Sequence, residues 1–147
     1  MKVFVDTNVL AAGFATRGLC SDLMREVLAN HELVSSRAIF SELKRILIKK
    51  VDVPEYQTKK VLDFMGSVSL PSEPVEQAAY PISDTDDIPH LSAAESAQCA
   101  VFVTGDKDLW AIQTQSGMRV LSPRNFWETI SAQQQSGANA NKPRSTD

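Results

Sequence analysis

Short runs of β-branched and aromatic residues recur along this chain, each separated from the next by a stretch of helical character, and that alternation restricts the fold more than any other feature. The runs are KVFV at residues 2–5, HELV at 31–34, VSL at 68–70, AVFV at 100–103 and MRVL at 118–121. Between the first two, residues 19–28 place Leu19, Leu23, Val27 and Leu28 on one helical face, with Ser21 and Asp22 near the start. Residues 36–50 do the same with Ile39, Leu43, Ile46 and Leu47, after a cap at Ser35 or Ser36. A further helix is expected over 54–65, opened by Pro54 and ended by Gly66; another over 88–98, rich in Ala and Leu; and a last one over 123–130. Between 71 and 87 three prolines mark an irregular connection. Strands that alternate with helices pair in parallel, and the helices then cover both faces of the sheet.

In such a sheet the carboxyl ends of the strands share one edge, where ligands bind. Asp6 follows the first strand, and Asp106 follows AVFV after only Thr104 and Gly105, so the two can converge across a hundred residues of sequence. An aspartate in the place of Asp6 is often no more than a helix cap, and its company gives it weight. Glu42 lies beside the apolar stripe of its helix, at the margin where helix meets sheet. Asp84, Asp86 and Asp87 crowd into four positions just before the 88–98 helix, where one of them is expected to cap it and to profit from the helix dipole. Carboxylates held together cost free energy unless they are solvated or share a cation. Oxygen donors with little imidazole or sulfur nearby select Mg2+ or Mn2+ over zinc or copper. Gly105 is expected to supply an unusual backbone angle at the turn before Asp106. His90 reads as a packed or rim residue of an Ala/Leu-rich helix.

A length of 147 residues suits one domain, set at residues 1–130. Residues 131–147 lack a large apolar side chain and are expected to form a flexible tail. No window resembles a membrane span and the N-terminus lacks the pattern of a secretory signal, so a cytoplasmic protein is expected. Cys20 and Cys99 sit in helix-like apolar settings without partners at zinc spacing, and are read as buried thiols. The formal net charge is −3, the wrong sign for a surface that grips nucleic acid throughout. A metal-filled acidic centre flanked by local basic residues is compatible with it. Arg45 and Lys49 follow Glu42 at helical spacing on the same side and are candidates to hold a phosphate backbone. Lys107 reads as a solvated charge, Phe14 as a possible platform for an unpaired base, and Trp110 as core.

The opening VFVDTNVL, the helix SELKRIL, the segment DTDDIPHLSAA and the turn VTGDKDL together resemble the PIN-domain family, in its branch of toxin components of bacterial type II toxin–antitoxin pairs. The resemblance runs from residue 2 to about 130. It implies a three-layer α/β/α sandwich with a short, mostly parallel central sheet, and a Mg2+- or Mn2+-dependent ribonuclease leaving 5'-phosphate and 3'-hydroxyl ends. It assigns the family's four acids to Asp6, Glu42, Asp87 and Asp106, as metal-binding and catalytic residues, with Asn8, Asp84, Thr104 and Asp108 in support. It also implies an antitoxin partner and self-association as a dimer. The sequence departs from the family pattern at His90, where a bulky aromatic is usual. Two other readings fit fewer of these residues. A phosphatase-like phosphotransfer domain needs a second aspartate where the DTN motif has its amide, Asn8. A degenerate module would bind RNA or a protein partner without turnover.

Overall fold

The computed structural model describes residues 1–76, 78–82 and 85–140, and side chains as far as residue 135. Five strands, β1 (Lys2–Val5), β2 (Glu32–Ser35), β3 (Leu70–Pro71), β4 (Val101–Val103) and β5 (Arg119–Leu121), form one sheet in the order β3-β2-β1-β4-β5. Every pairing is parallel, with Val3 opposite Leu33 on one side and Val101 on the other. Among the described residues six helices cover the sheet: α1 (Thr7–Ala15), α2 (Leu19–Asn30), α3 (Arg37–Lys49), α4 (Glu55–Val68), α5 (Ile88–Ser96) and α6 (Pro123–Ala140). The architecture is therefore an α/β three-layer sandwich around a parallel sheet, as the alternation of strands and helices implied.

Strands covered on both faces have no reason to alternate polar and apolar residues. Accordingly Val3, Phe4 and Val5 of β1 and Val101, Phe102 and Val103 of β4 are all buried, and Phe4 stacks on Phe102 with ring centroids 5.3 Å apart. The α3 stripe behaves as its spacing required. Ile39, Leu43, Ile46 and Leu47 are buried, and the Ser36 hydroxyl caps the helix by accepting from the Ile39 N–H at 3.3 Å.

Several boundaries differ from the sequence reading. Helix α1, which the sequence reading did not assign, begins at once after Asp6. Helix α4 runs through Gly66 to Val68, since a helical glycine whose surroundings are open costs only about 1 kcal/mol against alanine. Gly105 avoids the left-handed region, which among the described glycines is used by Gly18 and Gly117. Helix α6 continues ten residues past the expected end at 130, because adding Ala, Gln and Ser to an existing helix avoids the nucleation cost. Gln134 in this extension donates to Glu26 of α2. Residues 141–147 and Asp84 lie outside the described residues.

Candidate active site

The edge at the carboxyl ends of β1 and β4 is built by register. Val5 stands opposite Val103, so the residues that follow, Asp6 and Thr104, are neighbours in space. The Asp6 N–H still donates to the Val103 carbonyl at 2.9 Å, and the Thr104 N–H to that of Leu121 at 3.0 Å. Both side chains are thereby held by the sheet.

Asp6 is 9% exposed, and each of its oxygens has a donor: Oδ1 accepts from the Thr7 N–H at 2.7 Å, and Oδ2 from the Thr104 hydroxyl at 2.8 Å. The first contact makes Asp6 the N-cap of α1, so the modest role of a capping aspartate is real and coexists with its place at the sheet edge. The Thr104 hydroxyl accepts in turn from the Asp106 N–H at 3.1 Å. Asp106 opens a short 3-10 turn, Lys107–Leu109, with Oδ1 accepting from the Asp108 N–H at 3.0 Å.

Thr7 extends the network the other way. Its hydroxyl donates to Glu42 Oε2 at 2.6 Å, where α1 packs beside α3. Glu42 also faces His90 of α5, whose Nε2 lies 3.0 Å from both carboxylate oxygens. Thus Glu42, Thr7, Asp6, Thr104 and Asp106 form one continuous chain of contacts, and His90 ties α5 into it.

The remaining residues fall around this thread. Asp87 occupies the position before α5 but makes no side-chain cap on that helix; the chain enters it instead through a 3-10 turn, Thr85–Asp87. Both Asp86 and Asp87 are engaged by neighbouring groups. Asp87 precedes His90 by three residues, the spacing that puts two side chains on one helical face. Asn8 and Asp108 are exposed, as are Arg45 and Lys49 on α3 and Lys107 in its turn. Trp110 is a correction to the sequence reading: it is exposed rather than core, with its indole N–H donating to the Thr104 carbonyl at 2.8 Å. Phe14 is half-buried and meets Phe64 edge to face. Two contributors, Thr7 and His90, were not assigned from the sequence. The signal for Thr7 was its place next to an aspartate at a strand end; a contact 48 positions away left no local signal for His90.

A cavity of about 580 Å³ elsewhere, lined by Val75, Tyr80, Ser92, Glu95 and Ser116 among others, contains none of these acids. There burial raises the Glu95 pKa, but hydrogen bonds from Tyr80 and from the backbone and hydroxyl of Ser116 outweigh it and hold the carboxyl below its usual range. Both cysteines are free, and burial pushes Cys99 up to about 12.

The acidic edge offers oxygen donors to a hard divalent cation. Among the described residues no three His, Cys, Asp or Glu side chains stand together as a ready cage. Mg2+ does not need one, since it keeps several waters and takes one or two carboxylates, so Asp6 with a neighbouring acid fits its demands.

Two solved structures share this arrangement of elements. VapBC2 from Rickettsia felis, in a crystal structure bound to a DNA fragment from its promoter, aligns at 15% identity over 83% of this chain and 98% of that chain, with a TM-score of 0.60. PAE2754 from Pyrobaculum aerophilum aligns at 17% identity over 90% of each chain, also with a TM-score of 0.60. At such identities the likeness speaks for the fold. No curated protein sequence matches the chain. A family model described as PIN domain, however, matches residues 2–108, from β1 through the turn that carries Asp106, and the chain therefore belongs to the PIN-domain family.

Proposed function

We propose that this chain is a metal-dependent endoribonuclease that hydrolyses RNA phosphodiester bonds with Mg2+ or Mn2+, and that it serves in the cytoplasm as the toxin of a toxin–antitoxin pair. The observation that carries the reading is the thread of contacts that holds Glu42, Asp6 and Asp106 at one edge of a parallel sheet. Asp6 and Asp106 are the proposed direct ligands; Glu42 and Asp87 complete the site or orient the attacking water. A divalent ion held by these residues would lower the pKa of bound water and neutralise charge growing on the phosphate.

The chain's own residues do the rest. Thr7 and Thr104 fix the Asp6 carboxylate from both sides, so it need not reorganise when substrate arrives. Arg45 and Lys49, exposed and three and seven residues beyond Glu42, meet the RNA backbone next to the acids. Asp108, whose N–H anchors Asp106, steadies the far end of the thread. Asn8 on the first turn of α1, and Asp84, are the remaining supporting residues.

As a toxin the protein requires an inhibitor, and a cognate antitoxin covering the acidic edge is the proposed partner, with a homodimer as the proposed assembly. Among the described residues no helix is long and apolar enough to cross a membrane. One observation favours a second reading, a module that binds RNA or a partner protein without turnover: Glu42 already has two partners. The experiment that decides is incubation of the purified chain with single-stranded RNA in Mn2+ and in chelator. Cleavage that requires the ion and disappears in Asp6→Asn is expected. RNA left intact in Mn2+ refutes the nuclease.

A further inference from the structure

His90 is 3% exposed, on a helix whose neighbouring positions Leu91, Ala93 and Ala94 are buried against the rest of the core. A residue there that served only to fill space would be apolar. Its Nδ1 has no hydrogen-bond partner among the described residues, and such an orphaned nitrogen is a cost that a leucine would not carry. What the imidazole gains is at its other end. Nε2 stands 3.0 Å from Oε1 and 3.0 Å from Oε2 of Glu42, the position of one N–H shared by both carboxylate oxygens. Thr7 adds a hydroxyl to Oε2 at 2.6 Å, whereas among the described residues the His90 contact is all that Oε1 receives. Phe4 lies beside the ring, 6.3 Å between centroids, and helps to fix its tilt.

From this asymmetry we infer that His90 is a positioning residue, which with Thr7 locks the Glu42 carboxylate so that Oε1 is the oxygen offered to the divalent ion or to its water. The inference rests on the nuclease reading above. His90 touches neither substrate nor ion; it acts through Glu42. Partners that orient a ligating carboxylate typically contribute about 10–100-fold to metal affinity.

The test is Mn2+ titration by calorimetry, beside cleavage rates at saturating Mn2+, for the wild type, His90→Leu, His90→Gln and His90→Asn. Leucine fills the buried site without a donor, and should weaken Mn2+ binding about 10–100-fold while the metal-free melting temperature holds or rises. Glutamine places an amide N–H where Nε2 stood and should restore most of the affinity; asparagine falls short of Glu42 and should not. Should the leucine variant fail to fold, the glutamine and asparagine pair makes the same comparison. A wild type that binds Mn2+ while His90→Leu, or asparagine as well as glutamine, binds it equally well overturns the role of His90 alone. A wild type that neither binds Mn2+ nor cuts RNA overturns the nuclease reading and this inference with it.

Discussion

Thr104→Val is the substitution that tests the site's construction most directly. Threonine and valine have nearly the same shape, so the change removes a hydroxyl from a fully buried position and little else. That hydroxyl donates to Asp6 Oδ2 at 2.8 Å and accepts from the Asp106 N–H at 3.1 Å. A hydrogen bond to a charged group contributes about 1.5–3 kcal/mol and a neutral one about 0.5–1.5, which together suggest a loss of roughly 3 kcal/mol. For a domain of this size each kcal/mol moves the melting temperature by about 2–4 °C, so the expected fall is roughly 6–12 °C. Thr104→Ser keeps both bonds and gives up one methyl, about 1 kcal/mol. Thermal unfolding of the two variants side by side separates the hydroxyl from the methyl. Equal losses, or a valine variant as stable as the wild type, would show that Thr104 is packing and does not bridge the two aspartates. Cleavage by the valine variant should fall as well, because Asp6 is then held on one side only.

Asp6→Asn should abolish cleavage without raising the melting temperature: the amide can keep the Thr7 N–H bond but presents N–H groups to the Thr104 hydroxyl, a change that costs about 1–2 kcal/mol. A clear rise on differential scanning calorimetry would mean that repulsion between the acids outweighs these bonds. Gly13→Ala should destabilise, since the new Cβ would meet Met24 Cγ at 2.6 Å and the Cys20 carbonyl at 3.1 Å where α1 and α2 touch. Overpacking of about 1–3 kcal/mol then opposes a helix-propensity gain of about 1, and urea titration should show a net loss. Burial, with the N-terminal amine beside it, holds the His31 pKa below its ordinary 6.5 against a smaller opposing pull from Glu26. The unfolded chain therefore binds the extra proton first, so His31 contributes stability that is present above about pH 6.5 and lost as pH falls through its folded value. Urea midpoints measured from pH 7.5 to 5 should drop less steeply in His31→Gln than in the wild type; parallel curves would remove His31 as the cause.

Much of the fold was legible because its signals are local. The stripe of Ile39, Leu43, Ile46 and Leu47, the Ser36 cap and the apolar runs at β1 and β4 each state their structure within a few residues. Helix α1 did not announce itself. Its buried residues are Thr7, Val9, Leu10 and Ala11, consecutive enough to resemble the end of a strand, and the helix follows Asp6 with no turn residues to mark its start. In the acidic edge, the motif located Asp6 and Asp106 because the first directly follows a strand and the second follows one after only Thr104 and Gly105. The partners of Glu42 could not be read that way. Thr7 is 35 positions from it and His90 is 48, and only the packing of α1 and α5 around α3 brings the three together.

Those partners alter the physical argument with which the acids were first read. Carboxylates in close company cost free energy unless they are solvated or share a cation, but here each of three has protein donors of its own. Asp6 has the Thr7 N–H and the Thr104 hydroxyl, Glu42 has the Thr7 hydroxyl and His90, and Asp106 has the Asp108 N–H. Hydrogen bonds to the charged form favour it as an opposite charge would. The edge can therefore be assembled by folding alone, with threonine suited to it twice over: its β-branched body fits the buried end of a strand or the start of a helix, and its hydroxyl donates to one acid while remaining able to accept from another group. On the proposed nuclease reading, a divalent ion would enter a site already shaped, and its binding energy would not be spent on drawing Asp6, Glu42 and Asp106 together.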